Sequence, residues 1–184
     1  MEVVKGPDND RGETLERMIG QYQTPLLRLC YIQLLDRGLA EDAVQETFLK
    51  AYRKLETFRG ESSEKTWLTR IAVNTCADMR RGGWFRHMDR RVTPEMLPEP
   101  AREPTQRDEE LTMAVMNLPF KLRQVITLYY YQDMGVQEIA EALGIAQPTV
   151  STRLKRGRDR LRKTLEGRDC DGRAQDARAA SPSD

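Results

Sequence analysis

The chain is poor in most of what an enzyme site is built from. It has one histidine, His87, in 184 residues. It has no Gly-rich phosphate loop, and its cysteines are scattered. Little is left from which to assemble acid–base or nucleophilic chemistry, so an enzyme is not expected and no cofactor is implied. The three cysteines, Cys30, Cys76 and Cys170, form no Cys-x-x-Cys pair. That spacing argues against a zinc site or a disulfide framework and for a reducing compartment. Cys30 and Cys76 fall among apolar helical positions, where packing is the default. Cys170 sits in a polar tail as a candidate free thiol. No apolar run is long enough to cross a bilayer, and the opening MEVVKGPDNDRGE lacks the apolar stretch of a signal peptide. A cytoplasmic protein without membrane insertion is therefore expected. Aromatic residues are also scarce, at 7% against 32% charged, so the core is modest and long helices with charged faces are expected. Net charge is small too, only +1, which rules out a polycation. The signal lies in the distribution. Arg and Lys crowd Arg80–Arg91 and Arg153–Lys163, with an acidic run over Glu95–Glu110 between them. Two basic patches on either side of an acidic spacer suit a protein that touches nucleic acid at two places.

The most organised stretch is Val136–Lys163, VQEIAEALGIAQPTVSTRLKRGRDRLRK. It reads as a short helix, a tight turn and a longer basic helix. Ile139, Ala140 and Leu143 give the first helix an apolar stripe, and Gly144 supplies the left-handed residue that ends it. Pro148 stands where the second helix begins, a position that tolerates a missing N–H. Val150, Leu154, Leu161 and Leu165 make the second stripe. The opposite face carries Thr149, Thr152, Lys155, Arg156, Arg160 and Lys163. A helix entering the DNA major groove needs short polar side chains at its start to reach base edges, and Lys or Arg along its length to meet phosphates. A solvated basic face would show the same charges. The added pattern E-I-A-x-x-L-G-I followed by Thr-Val-Ser favours DNA.

Residues 1–12 are polar and expected to be disordered. Leu15, Met18, Ile19, Tyr22, Leu26, Leu29 and Cys30 recur at threes and fours, predicting a helix over Glu13–Leu35 in which Pro25 removes one backbone hydrogen bond. Asp36, Arg37 and Gly38 make the break. A second helix is expected over about Ala40–Leu55, with Ala40, Val44, Phe48, Ala51 and Leu55 buried and Asp42, Glu46, Leu49 and Arg53 opposite. Leu49 is either a partner contact or an ordinary exposed leucine. Phe58–Glu64 reads as a polar loop. A third helix is expected over Lys65–Arg81. Trp67, Leu68, Ile71, Ala72, Thr75 and Met79 lie on its buried side, and Thr66, Arg70, Val73, Asn74, Ala77, Arg80 and Arg81 on the far side. Trp67 lies near the boundary. It is either a core residue beside a solvated edge or a stacking platform for a single strand.

Gly82 and Gly83 end that helix, and Trp84, Phe85, Arg86, His87, Arg90 and Arg91 follow. His87 has no metal or catalytic partner in the sequence and reads as a surface residue. Residues 92–105 carry Pro94, Pro98, Pro100 and Pro104 among acidic side chains and read as a flexible linker. Helices over about Gln106–Met116 and from Leu118-Pro119 onward lead into the helix-turn-helix. Leu122, Val125, Ile126, Tyr129 and Tyr130 form the apolar face of the second. Residues 168–184 are expected to be a disordered tail. The fold class is all-α: two small helical domains, residues 13–91 and 106–167, joined by the linker, the C-terminal one carrying the helix-turn-helix.

Three blocks in this order resemble the extracytoplasmic-function (ECF) group of bacterial sigma-70-type sigma factors. AEDAVQETFLKAYRKLETFRG (Ala40–Gly60) is similar to the family's core-polymerase-binding helix. TWLTRIAVNTCADMRR (Thr66–Arg81) is similar to its segment that melts and reads the −10 promoter element. Leu118–Lys163 is similar to its −35-binding domain. The resemblance implies a transcription initiation factor that binds core RNA polymerase through the β′ clamp and the β subunit. It implies Asp42, Gln45, Glu46, Leu49 and Arg53 as the docking surface. Phe58–Glu64 becomes a specificity loop that holds a flipped base. Ser62, Ser63, Lys65, Trp67, Arg70 and Asn74 become −10 contacts by position, with Arg80 and Arg81 on phosphates. Thr149, Ser151, Thr152, Lys155, Arg156 and Arg160 become −35 contacts. The resemblance also implies an anti-sigma factor partner, which can hold the protein at the membrane.

Pro148 and Ser151 stand where many relatives have glycine and a basic residue. Serine cannot make the bidentate contact to guanine that arginine makes, so the −35 sequence preference does not carry over. The alternative is a free-standing helix-turn-helix regulator. It would need a receiver or ligand domain, and residues 1–90 lack the strand–helix alternation of a receiver.

Overall fold

The computed structural model describes residues 7–82 and 105–179. The stretch from Trp84 to Arg91, with His87, and all but the last residue of the expected linker lie outside the described residues. Regular structure among the described residues is helical: α1 (Pro7–Leu34), α2 (Arg37–Lys54), a short 3-10 turn (Leu55–Thr57), α3 (Glu64–Arg81), α4 (Gln106–Met116), α5 (Phe120–Tyr130), α6 (Val136–Leu143) and α7 (Gln147–Ala179).

Helices α1, α2 and α3 pack on one another. The expected α1 stripe is inside, with Met18, Leu26, Leu29 and Cys30 buried and Leu15, Ile19 and Tyr22 packed against them. The helix runs through Pro25. It begins at Pro7, so residues 7–12 are helical where disorder was expected. The cause is long-range. Arg11 donates to the Tyr52 carbonyl at 3.2 Å, pairs with Glu56 at 2.9 Å and lies over the Tyr52 ring. The break before α2 is also shorter than expected. Asp36 caps α2 by accepting from the Leu39 N–H at 2.7 Å, so Arg37 and Gly38 are its first helical residues.

Cys30 and Cys76 are both buried where α1 meets α3. A hydrogen bond with the Cys30 sulfur, and then burial, push the Cys76 thiol well above its ordinary range. Both effects keep the Cys76 thiol protonated, which makes it a packing group rather than a nucleophile.

The second half begins with a capping box. Thr105 Oγ1 accepts from the Asp108 N–H at 3.3 Å, and Asp108 accepts from the Thr105 N–H at 3.1 Å. Val125, Ile126 and Leu128 of α5 are buried, whereas Tyr129 and Tyr130, expected on its apolar face, are exposed. Arg123 and Gln124 are buried instead. Gly144 ends α6 at φ 61°, the left-handed conformation expected of it. Val150 and Leu154 of α7 are buried, and Leu161 is packed against the core. Helix α7 is continuous to Ala179, so residues 168–179 are helical where a disordered tail was expected.

The two halves touch, α1 against α5 and α3 against α6. Gln33, near the end of α1, is fully buried, and neither side-chain atom has a partner among the described residues. Leaving a buried amide unsatisfied costs about 1–3 kcal/mol, so this seam is less favourable than a sealed core.

Two predictions follow from the packing. A Cβ built on Gly157 would lie 2.7 Å from Ile126 Cγ1, and Ile126 is itself buried, so the close approach of α7 to α5 at this point requires a glycine. Gly157→Val is expected to lower stability by about 1–3 kcal/mol through overpacking, measured by thermal unfolding of the whole chain. Arg17 of α1 grips the Glu64 carboxylate of α3 at 2.6 and 3.0 Å. The hydrogen bond from Arg17 is the main cause that holds the Glu64 pKa below the usual carboxylate range. A depressed carboxyl pKa contributes stability above its unfolded value and loses it as pH falls through the folded one. Glu64→Gln should therefore lower the melting temperature at neutral pH, and the two unfolding curves should converge in acid.

Candidate polymerase and promoter-binding surfaces

Asp42, Gln45, Glu46, Leu49 and Arg53 recur along α2 at spacings of three or four, which puts them on one stripe. The helix is already fully packed on its other side by Ala40, Ala43, Val44, Thr47, Phe48 and Ala51. Leu49 is therefore not needed by the core, and it is 52% exposed. Asp42, Gln45 and Arg53 around it are exposed, while Glu46 is half-buried and lies 3.6 Å from Lys50. An apolar centre in a polar rim has the anatomy of a protein-docking patch.

Helix α3 starts at a serine. Ser63 Oγ accepts from the Thr66 N–H at 3.1 Å and donates to Thr66 Oγ1 at 3.0 Å, so its hydroxyl caps the helix. Ser62 is half-buried in the preceding loop. The Trp67 ring stacks on Phe58 of that loop, centroids 4.7 Å apart and planes 30° apart. Trp67, Arg70 and Asn74, all expected site residues, line one groove of about 390 Å³. Lys50 and Lys54 line it as well. Neither was singled out from the sequence. They flank the α2 stripe, and only the packing of α2 on α3 turns them toward Trp67. Within the groove Lys50 donates to Thr75 Oγ1 at 3.1 Å and lies 3.9 Å from Asp78. An aromatic ring in a groove that two lysines and an arginine also line offers stacking and phosphate pairing together.

One residue was misplaced. Val73, expected on the open side of α3, is fully buried, as is Thr69. Helix α3 has neighbours on three sides, α1, α2 and α6, so its open strip is narrower than a two-sided wheel implies. Arg81 pairs with Asp78 on its own helix. Lys65, Arg70 and Arg80 reach toward the second half of the molecule, Lys65 to Asp133 at 3.7 Å and Arg70 to Glu141 at 2.8 Å. The Arg80 guanidinium lies 4.0 Å from the centre of the Phe120 ring.

In the helix-turn-helix, α6 and α7 pack together around Ile139, Ala142, Val150 and Leu154. That contact turns Ser151, Thr152, Lys155, Arg156 and Arg160 outward, all exposed, with Thr149 half-buried at the turn. The Thr152 hydroxyl donates back to the Pro148 carbonyl at 2.8 Å, which fixes its orientation. Among the described residues there is no group of three or more His, Cys, Asp or Glu side chains that could hold a metal ion. No helix among them is long and apolar enough to cross a membrane.

These surfaces coincide with the matches to known families. Residues 18–86 match the family model described as Sigma-70 region 2, and residues 108–161 match Sigma-70, region 4. The chain is 34% identical over 176 residues to the ECF RNA polymerase sigma factor SigW of Bacillus subtilis, covering 88% of this chain and 92% of that protein. It is 34% identical over 170 residues to the RNA polymerase sigma-E factor of Streptomyces coelicolor, covering 89% and 93%. The solved structure of the sigma factor RpoE in complex with the anti-sigma factor NepR from Bartonella quintana is similar with a TM-score of 0.67 at 26% identity, covering 84% of this chain and 98% of that one. CnrH in complex with the cytosolic domain of CnrY shares the fold, with a TM-score of 0.62 at 21% identity over 85% and 90% of the two chains. The chain belongs to the extracytoplasmic-function (ECF) group of sigma-70-type RNA polymerase sigma factors.

Proposed function

We propose that the chain directs core RNA polymerase to promoters carrying a −35 and a −10 element and helps to melt the −10 region. The observation that carries this is the order of three surfaces on one helical scaffold. They are an apolar docking stripe on α2, an aromatic and cationic groove between α2 and α3, and an exposed basic recognition face on α7. In this reading Asp42, Gln45, Glu46, Leu49 and Arg53 dock on the β′ clamp. Trp67, Arg70, Asn74, Lys65, Ser62 and Ser63, with Arg80 and Arg81, take the unpaired −10 strand. Ser63 contributes chiefly by fixing the start of α3, since its hydroxyl is committed to the cap. Lys50 and Lys54 join the −10 set as groove residues. Flipping a base costs a few kcal/mol, and stacking beside the Trp67–Phe58 pair is suited to offset part of it.

On α7, Thr149, Ser151, Thr152, Lys155, Arg156 and Arg160 face the −35 duplex. The α4–α7 half makes its contact with the β subunit. The polymerase performs the covalent chemistry; this chain positions DNA and does not act as an enzyme. It works in the cytoplasm, where polymerase and chromosome are found. The relatives RpoE and CnrH are seen with an anti-sigma factor and a CnrY cytosolic domain respectively, which supports an anti-sigma partner for this chain, one that can hold it at the membrane. A free-standing regulator is the less favoured reading, because it leaves the docking stripe of α2 without a purpose.

The deciding experiment is in vitro transcription with purified bacterial core polymerase on fragmented genomic DNA, with 5′ ends sequenced. Protein-dependent starts sharing two upstream motifs are expected; core binding without any starts would refute the promoter assignment. Leu49→Asp should abolish core binding while leaving the melting temperature unchanged, since Leu49 adds nothing to the core; undiminished affinity would remove α2 as the docking face. Arg156→Ala should weaken −35 duplex binding and flatten its salt dependence by about one phosphate contact. An unaltered slope in a salt titration would show that Arg156 does not meet the backbone.

A further inference from the structure

The start of α7 lacks the residue types that most often read DNA bases. From Gln147 to Thr152 there is no lysine or arginine. The arginine contact to guanine O6 and N7 is therefore missing where a recognition helix first meets base edges. Most of the other side chains there offer little in its place. Pro148 has no polar side-chain atom, Val150 is buried and Thr149 is half-buried. The Thr152 hydroxyl donates its proton to the Pro148 carbonyl at 2.8 Å, so that oxygen is left as an acceptor alone. Ser151 is exposed but presents a single oxygen.

Gln147 is different. It is the first residue of α7 and is exposed, and its side-chain amide makes no hydrogen bond among the described residues. The amide carries a carbonyl acceptor and an N–H donor side by side. Adenine presents the complementary pair on its major-groove edge, an N7 acceptor and an N6 donor. No other side chain in these turns can meet one base at two points. The main chain does not pull the helix start toward phosphate either. Pro148 has no N–H, and the Thr149 and Val150 N–H groups donate to the Ala146 carbonyl at 2.9 and 3.2 Å. The amides that hold phosphate at other helix starts are thus absent or spent. Lys155, Arg156 and Arg160, all exposed, supply the phosphate contacts further along. Gln147, Ser151 and Lys155 stand at spacings of four, so one ridge of α7 runs from amide to hydroxyl to ammonium. Base reading at the start of the helix and backbone pairing behind it follow from that order.

We propose that Gln147 is a specificity-determining residue of the −35 interface and reads an adenine there, accepting from N6 and donating to N7. The inference rests on assigning the α7 face to the −35 duplex. It supplies the two-point base contact that Ser151 cannot make.

The test is selection and sequencing of a randomised duplex DNA library, captured through a tag on the full chain with core polymerase added. Wild type is compared with Gln147→Ala and Gln147→Glu. The wild type should enrich a motif with a strongly preferred A·T pair. Gln147→Ala should lose about tenfold in preference at that pair and keep the rest of the motif and the melting temperature. Gln147→Glu should move the preference at the same pair to C·G, because a carboxylate accepts from cytosine N4. A purely structural role could not redirect a base preference. An alanine variant that selects the wild-type motif overturns the inference. So does a uniform loss across all sequences, which marks a backbone contact, or a wild-type motif in which no adenine is selected. Transcription with the same proteins judges the proposed function separately. A chain that selects a duplex motif but starts no transcripts loses the promoter reading and keeps Gln147 as its base reader. If the wild type enriches no duplex motif, the α7 assignment and this inference fall together.

Discussion

A single buried guanidinium sets how the two halves of this molecule meet. Arg123 is 3% exposed and donates to the carbonyls of Met116 at 2.5 Å, Leu118 at 3.2 Å and Gln33 at 3.0 Å. Gln33 and Met116 lie in the last turns of α1 and α4, where backbone acceptors have no partner within the helix and carry partial negative charge. One cation thus satisfies acceptors from both halves and from the turn before α5. Helix α5, which carries it, becomes the fixed reference of the second half. Helix α7 lies across α5 through Gly157, so the orientation of the basic recognition face relative to α1–α3 traces back to this contact.

The three proposed surfaces differ in how they are held. The α2 stripe is what remains once a complete apolar face has been buried, and it needs no support from elsewhere. The α7 face is likewise the outward side of a helix whose inward side is packed. The α3 groove is different. It needs the Phe58 loop to place Trp67, α2 to supply Lys50 and Lys54, and the Ser63 cap to start the helix. The second half reaches only the edge of this groove, where Glu141 pairs with Arg70.

Helical periodicity was the most readable signal. The stripes of α1, α2, α6 and α7 were legible because apolar residues three and four apart must share a face whatever packs on it. Gly144 and Pro148 marked the turn of the helix-turn-helix through backbone conformation alone. Misreadings came where burial depends on how many neighbours a helix has. Val73 looked open on a wheel with one buried side, but α3 is packed on three. Tyr129 and Tyr130 looked buried because they continue the stripe of Leu122, Val125 and Ile126 at helical spacing, whereas Arg123 and Gln124 took inside positions of α5. The start of α1 at Pro7 was hidden because Arg11 gains its partners from Tyr52 and Glu56, far along the chain.

By itself the sequence determined the all-helical class, the two modules and the family, and it singled out Leu49, Trp67, Arg70 and Arg156 among the residues of interest. Those properties follow from local periodicity, capping chemistry and motif order, which a linear chain carries in full. The tertiary structure decided which of these side chains are already spoken for. Lys50 and Lys54 in the groove, Ser63 as a cap, Gly157 as a contact point, and the carboxylates of Asp133 and Glu141 on the cations of α3 all rest on distances between residues remote in sequence. Electrostatic pairing and close packing act through space over a few ångströms, and separation along the chain holds no record of that distance.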